Sequence, residues 1–151
     1  MTMTASTLDE LTLSITQEVR VNAPLEATFA AMLEELGPHN QQRDGTPMPM
    51  TLEAKPGGRW YRDLGHDNGH LWGHVQAIKR PTLLEITGPL FMSYAMVSNI
   101  QYRLTPVDGG TLITFRHSAM GFIQEDHRTG LKTGWTLKLE QIRKTAEQAA
   151  A

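Results

Sequence analysis

From Met96 to His117 the chain alternates with a period of two residues on both sides of a single turn signal. Met96, Ser98, Ile100, Tyr102 and Leu104 share one parity, Pro106 to Gly110 supplies the turn, and Thr111, Ile113, Phe115 and His117 continue the pattern. Period two puts alternate side chains on opposite faces of a strand, so the pattern predicts two adjacent antiparallel strands with one buried face. The C-terminal segment changes period. Leu131, Trp135, Leu139, Ile142 and Ala146 form one stripe at helical spacing. A chain with both patterns is expected to lay a long helix on an antiparallel sheet, an α+β architecture.

The rest of the chain fits this frame. Leu11, Leu13, Ile15, Val19 and Val21 predict a first strand. Pro24 suits the first turn of a short helix, where Glu26 meets the positive end of the dipole, and Gly37-Pro38 stops it. Residues 37–50 read as a loop long enough to be functional or mobile. A turn at Lys55–Gly58 leads into a strand at 59–63, and Asp67-Asn68-Gly69 is a type I′ hairpin signal. The strand from His70 to Lys79 places Leu71, Gly73, Val75 and Ala77 on one face and Trp72 on the other, toward solvent. Leu84 and Ile86 point inward from a short strand at 83–87, and an apolar loop follows at Leu90, Phe91 and Met92. Glu125 and Asp126 open the last helix. Gly134 inside it costs about 1 kcal/mol against Ala, so close packing is expected there. Residues 1–10 and the tail 148–151 are expected to be loosely held, with one domain over 11–148.

Composition narrows the function. The chain has 151 residues, the size of one domain. It has no Cys, which excludes thiolate zinc, iron–sulfur and cysteine nucleophiles. Fourteen Lys and Arg against 16 Asp and Glu leave a net charge of -2, so no basic field invites nucleic acid. There is no long apolar run to insert into a membrane and no basic-then-apolar leader pattern at the N-terminus, so a cytoplasmic location is expected. No Walker, Gly-x-Ser-x-Gly or dinucleotide fingerprint occurs, and no cofactor is expected. His66, His70 and His74 recur every four residues, but on a strand His70 and His74 lie about 13 Å apart, too far to share a metal ion.

Several local motifs occur in a family-like order: Pro24, Pro56-Gly57-Gly58-Arg59-Trp60, Gly73-His74-Val75, Pro81-Thr82-Leu83-Leu84, Gly109-Gly110-Thr111 and Gly134-Trp135 with Leu139. In order and spacing the chain resembles the homologues of the activator of the heat-shock protein 90 ATPase, a family of the START-like (SRPBCC) superfamily, over roughly residues 12–147. The resemblance implies a helix-grip fold, in which a curved antiparallel sheet grips a long C-terminal helix and a short helix follows the first strand. It also implies an apolar cavity between sheet and helix that binds lipids, hydrophobic metabolites or polyketides. Where the family often carries a Trp-rich stretch after the first helix, residues 37–50 here hold Pro, Gln and Met.

The inward positions are then either a filled core or a cavity lining. They are Trp60, Leu71, Val75, Ile86, Met96, Ile100, Tyr102, Ile113, Phe115, His117, Trp135 and Leu139, with Phe91 in a gating loop at 88–94 opposite the loop at 37–50. Ser98, Tyr102, Thr111 and His117 are the polar groups placed to orient a ligand. A small hydrophobic molecule bound by a monomer or homodimer is the leading expectation. Two alternatives stand beside it. One is a co-chaperone-like partnership with a heat-shock ATPase, implied by the family alone. The other is cyclase- or aromatase-type chemistry, for which Arg62, Tyr102 and His117 are the acid/base candidates.

Overall fold

The computed structural model describes residues 7–151. Its elements in chain order are α1 (Leu8–Leu11), β1 (Thr12–Val21), α2 (Leu25–Leu36), β2 (Thr51–Leu52), β3 (Arg59–Gly65), β4 (Asn68–Lys79), β5 (Leu83–Gly88), β6 (Met96–Val107), β7 (Gly110–Gly121) and α3 (Glu125–Ala150). The strands form one antiparallel sheet in the order β1-β7-β6-β5-β4-β3-β2. This is the helix-grip arrangement: a curved sheet, a short helix after the first strand, and a long C-terminal helix across one face.

The alternating segments pair as their periodicity predicts. β6 and β7 run in register from Met96↔Gly121 to Val107↔Gly110. β1 lies along β7 from Thr12↔Met120 to Val21↔Thr111. Their inward parity buries Ile15, Val21, Ser98, Ile100, Tyr102, Leu104, Thr111, Ile113, Phe115 and His117. Onto this face α3 lays Leu131, Trp135, Leu139, Ile142 and Ala146. Beside it α2 contributes Phe29, Ala31, Met32 and Leu36. Pro24 is the N-cap of α2, one position before the expected first turn, and its carbonyl accepts from the Thr28 N–H at 3.0 Å and hydroxyl at 2.9 Å.

Differences from the sequence reading cluster at β3 and β4. The hairpin turn is His66-Asp67, with φ of 53° and 61°, rather than Asn68-Gly69. Both residues take the left-handed conformation of a primed turn, and the Asn68 amide steadies them by donating to the Gly65 and His66 carbonyls at 3.2 Å. Gly69 answers a different need: a Cβ there would stand 2.1 Å from the Arg62 carbonyl oxygen.

The second difference reverses two side chains. Trp60 pairs with Gly73 and Tyr61 with Leu71, so Trp72 is an extra residue on β4, a bulge. The extra residue breaks the parity. Leu71, expected inward, is 44% exposed, whereas Trp72, expected outward, packs edge-on against Trp60 at 5.1 Å. A further irregularity between Val75 and Ala77 turns Ile78 onto the core.

At the ends, residues 1–6 of the expected loose N-terminus lie outside the described residues. Residues 8–11 form a helical turn with a capping box: Thr7 Oγ1 accepts from the Glu10 N–H, and Glu10 Oε1 accepts from the Thr7 N–H, both at 3.3 Å. The exposed tail continues α3 to Ala150. Among the described residues no helix is long and apolar enough to cross a membrane.

A candidate ligand cavity under the C-terminal helix

The first half of α3, the segment 37–50 and the β3–β4 corner of the sheet line an open-sided cavity of about 410 Å³. Its apolar walls are Leu36, Met48, Trp60, Trp72, Phe91, Leu131 and Trp135. The aromatic wall residues are held from behind. The Trp60 indole N–H donates to the Leu36 carbonyl at 2.7 Å, tying β3 to the end of α2. The Trp72 indole packs on Trp60 and lies 5.8 Å from the Phe91 ring. Phe91 meets His127 of α3 edge-on at 5.3 Å. Tyr94 latches the same loop to the helix start: its hydroxyl accepts from the Gln124 N–H at 3.1 Å and lies 2.8 Å from His127 Nδ1. Both expected gating loops therefore contribute to the wall.

The cavity has a small polar set at two levels of α3. Asp126 and His127 line it on the first turn. Lys138 lines it three turns further on. Lys138 is 9% exposed, and its ammonium donates to the Glu35 carbonyl and to Asn40 Oδ1, both at 2.8 Å. Burial pulls its pKa down to about 8, partly opposed by the negative charge of Glu35. Glu35 is itself buried, accepting from the Thr145 hydroxyl at 2.6 Å through Oε1 and leaving Oε2 without a partner. Between the two levels, the Arg43 guanidinium crosses the helix and donates to the Gly130 carbonyl. A Cβ on Gly130 would come 3.2 Å from Arg43, and one on Gly134 3.6 Å from it, so this arginine occupies the packing space expected at Gly134.

Three of the deeper polar groups, His117, Ser98 and Thr111, are already engaged with the protein. The Trp135 indole N–H donates to His117 Nδ1 at 3.0 Å, and His117 Nε2 lies 2.8 Å from Ser98 Oγ. An Nδ1 that accepts carries no proton, so His117 is the neutral Nε2–H tautomer and donates to Ser98. Burial lowers its pKa to about 4, which agrees with that assignment. Thr111 donates to the Ala23 carbonyl at 2.8 Å. The Tyr102 hydroxyl is buried without a partner, and burial pushes its pKa up.

Of the residues expected to line a ligand site, Trp60, Phe91 and Trp135 line this cavity. Val75, Ile86, Ile100, Tyr102, Ile113 and Phe115 are packed in the core behind it, with Ser98 and His117 among them. Met96 is partly buried at the core edge, and Leu139 is buried in the core beneath a shallow cleft beside β1. Arg62 donates to the Pro49 carbonyl at 3.1 Å, holding the end of the 37–50 segment, and Leu71 faces away. The sequence reading did not include Trp72, Lys138, Asn40, Arg43 or Met48. Lys138 had a signal: Leu131, Trp135, Lys138 and Ile142 are spaced by four, three and four, so a lysine stands within the buried stripe. The loop residues have no periodicity to betray them. His70 Nδ1 accepts from the Trp72 indole at 3.2 Å, and no group of three ligating side chains occurs among the described residues.

Comparison with known proteins places this geometry. The fold matches an uncharacterised protein from Rhizobium leguminosarum (TM-score 0.69, 14% identity, 91% of this chain and 95% of that one). It matches a protein from Chromobacterium violaceum equally well (TM-score 0.69, 16% identity, 89% and 98%). Ara h 8.0201 shares it at TM-score 0.62 and 14% identity, over 89% and 97%. No curated relative matches the sequence. The sequence pattern described as "Activator of Hsp90 ATPase homolog 1-like protein" matches residues 22–147. That match spans α2 through most of α3 on a helix-grip sheet, and the chain belongs to this family.

Proposed function

We propose that this protein is a binding domain that takes a small molecule with an apolar, partly aromatic body into the cavity beneath α3. Family membership supports a binding role in general. The observation that carries the finer reading is the cavity itself: about 410 Å³ walled by Trp60, Trp72, Phe91 and Trp135 with aliphatic residues between them. Sites for drug-sized ligands are concave, mainly apolar and lightly polar. Rigid aromatic walls give large contact area, and burial is worth on the order of 25 cal/mol per Å² of apolar surface. The acid/base candidates Arg62, Tyr102 and His117 do not line this cavity, which favours binding over cyclase-type chemistry.

Native mass spectrometry and thermal shift against fatty acids and aromatic polyketides test the reading. A bound species that raises the melting temperature supports it. A protein that retains none of these compounds and shows no shift with them removes it.

A further inference from the structure

We infer that Lys138 is the polar anchor of the cavity and that the ligand it selects is an apolar or aromatic molecule ending in a carboxylate. The inference rests on the binding reading above and adds to it the chemistry of the ligand's polar end. An ammonium has three donors. Two are taken by the Glu35 carbonyl and Asn40 Oδ1, and no third bond is formed among the described residues. Both acceptors are neutral. No carboxylate of the described residues lies within ion-pairing distance of Nζ.

The Glu35 carboxylate acts on Lys138 through space without a direct ion pair, so the ammonium keeps one donor beside the cavity that an incoming anion can fill. The two bonds from α2 and the 37–50 segment fix Nζ in place, so the remaining donor direction is set before a ligand arrives. Carboxylate binding there forms a charge-assisted hydrogen bond, the stronger kind. The nearer negative charge is Glu35, outside the lining; the carboxylate that lines the cavity, Asp126, precedes Lys138 by twelve residues, about 18 Å along the helix axis. Arg43 stands between them and is the competing candidate for the same role.

The experiment compares two probe pairs of matched shape, naphthaleneacetate with naphthaleneacetamide and dodecanoate with dodecanamide, by calorimetry on the full chain. Wild type is expected to bind each carboxylate at least tenfold more tightly than its amide. Lys138→Met is expected to bring each pair to within about twofold of each other, and Arg43→Met is expected to keep the preference. Lys138→Gln, which keeps hydrogen-bond donors without the charge, replaces the Met variant if that one melts without cooperativity. Equal binding of acid and amide by wild type overturns the inference and leaves the binding reading standing. So does a preference that survives at Lys138 and vanishes at Arg43. Failure of all four probes overturns both.

Discussion

Trp135 donates its indole N–H to Nδ1 of His117 at 3.0 Å, joining the wall of the cavity to a histidine that is fully buried behind it. The bond requires a neutral imidazole, and burial holds the His117 pKa near 4 against an ordinary 6.5. Between those values the unfolded chain binds a proton that the folded chain refuses. The stability due to neutral His117 is therefore present above about pH 6.5 and is lost as pH falls toward 4. The loss is on the order of 3 kcal/mol. Urea midpoints at pH 7, 5.5 and 4 should show this slope in wild type and a shallower one in His117→Leu. The variant itself should lose roughly 1–3 kcal/mol at pH 7, because it strands the indole N–H.

All three tryptophans of the chain, Trp60, Trp72 and Trp135, line one cavity. Intrinsic fluorescence should therefore report occupancy directly. A saturating apolar ligand should change the emission of wild type and of each single Trp→Phe variant. An unchanged spectrum alongside calorimetric binding would place the ligand elsewhere.

The bulge at Trp72 makes neighbouring positions respond in opposite ways. Leu71→Ser, at an exposed site, should change stability by less than about 1 kcal/mol. Trp72→Ala, which strips a ring packed on Trp60, should cost about 2 kcal/mol or more. It should also weaken binding of an apolar ligand. Chemical denaturation of both variants checks the pair, and equal costs would contradict the bulge.

Glycines separate just as sharply. A Cβ on Gly88 would stand 2.4 Å from the Trp72 carbonyl oxygen, backbone against backbone. Gly88→Ala should lose about 2 kcal/mol or more. Gly134, whose Cβ would meet only the Arg43 side chain at 3.6 Å, should gain up to about 1 kcal/mol as Ala through helix propensity. Melting temperatures of the two variants should move in opposite directions.

These contrasts also mark how far the sequence could be read. β1, β6, β7 and α3 were legible because their periods run unbroken, and with them the architecture and the buried face. The cavity was half legible. Trp60 and Trp135 sit on regular elements, but Trp72 enters only because a bulge overrides its parity, and no local residue preference announces where that extra residue falls. Lys138 stood in the apolar stripe, yet its partners, Glu35 and Asn40, come from a helix end and a loop about a hundred residues away. Val75, Ile86, Ile100 and Ile113 share the inward parity of Trp60 yet are packed in the core, for alternation reports which face is covered and is blind to what covers it.

One inserted residue on β4 therefore governs which chemistry the sheet offers at this corner. Shortening the 66–72 stretch by a single residue would restore strict alternation and present a leucine where an indole now stands. In a relative of this fold the wall can thus be recomposed by chain length alone, with Leu71 and Trp72 both kept. Aligning such relatives by residue type at this corner would then pair positions that face opposite sides of the sheet.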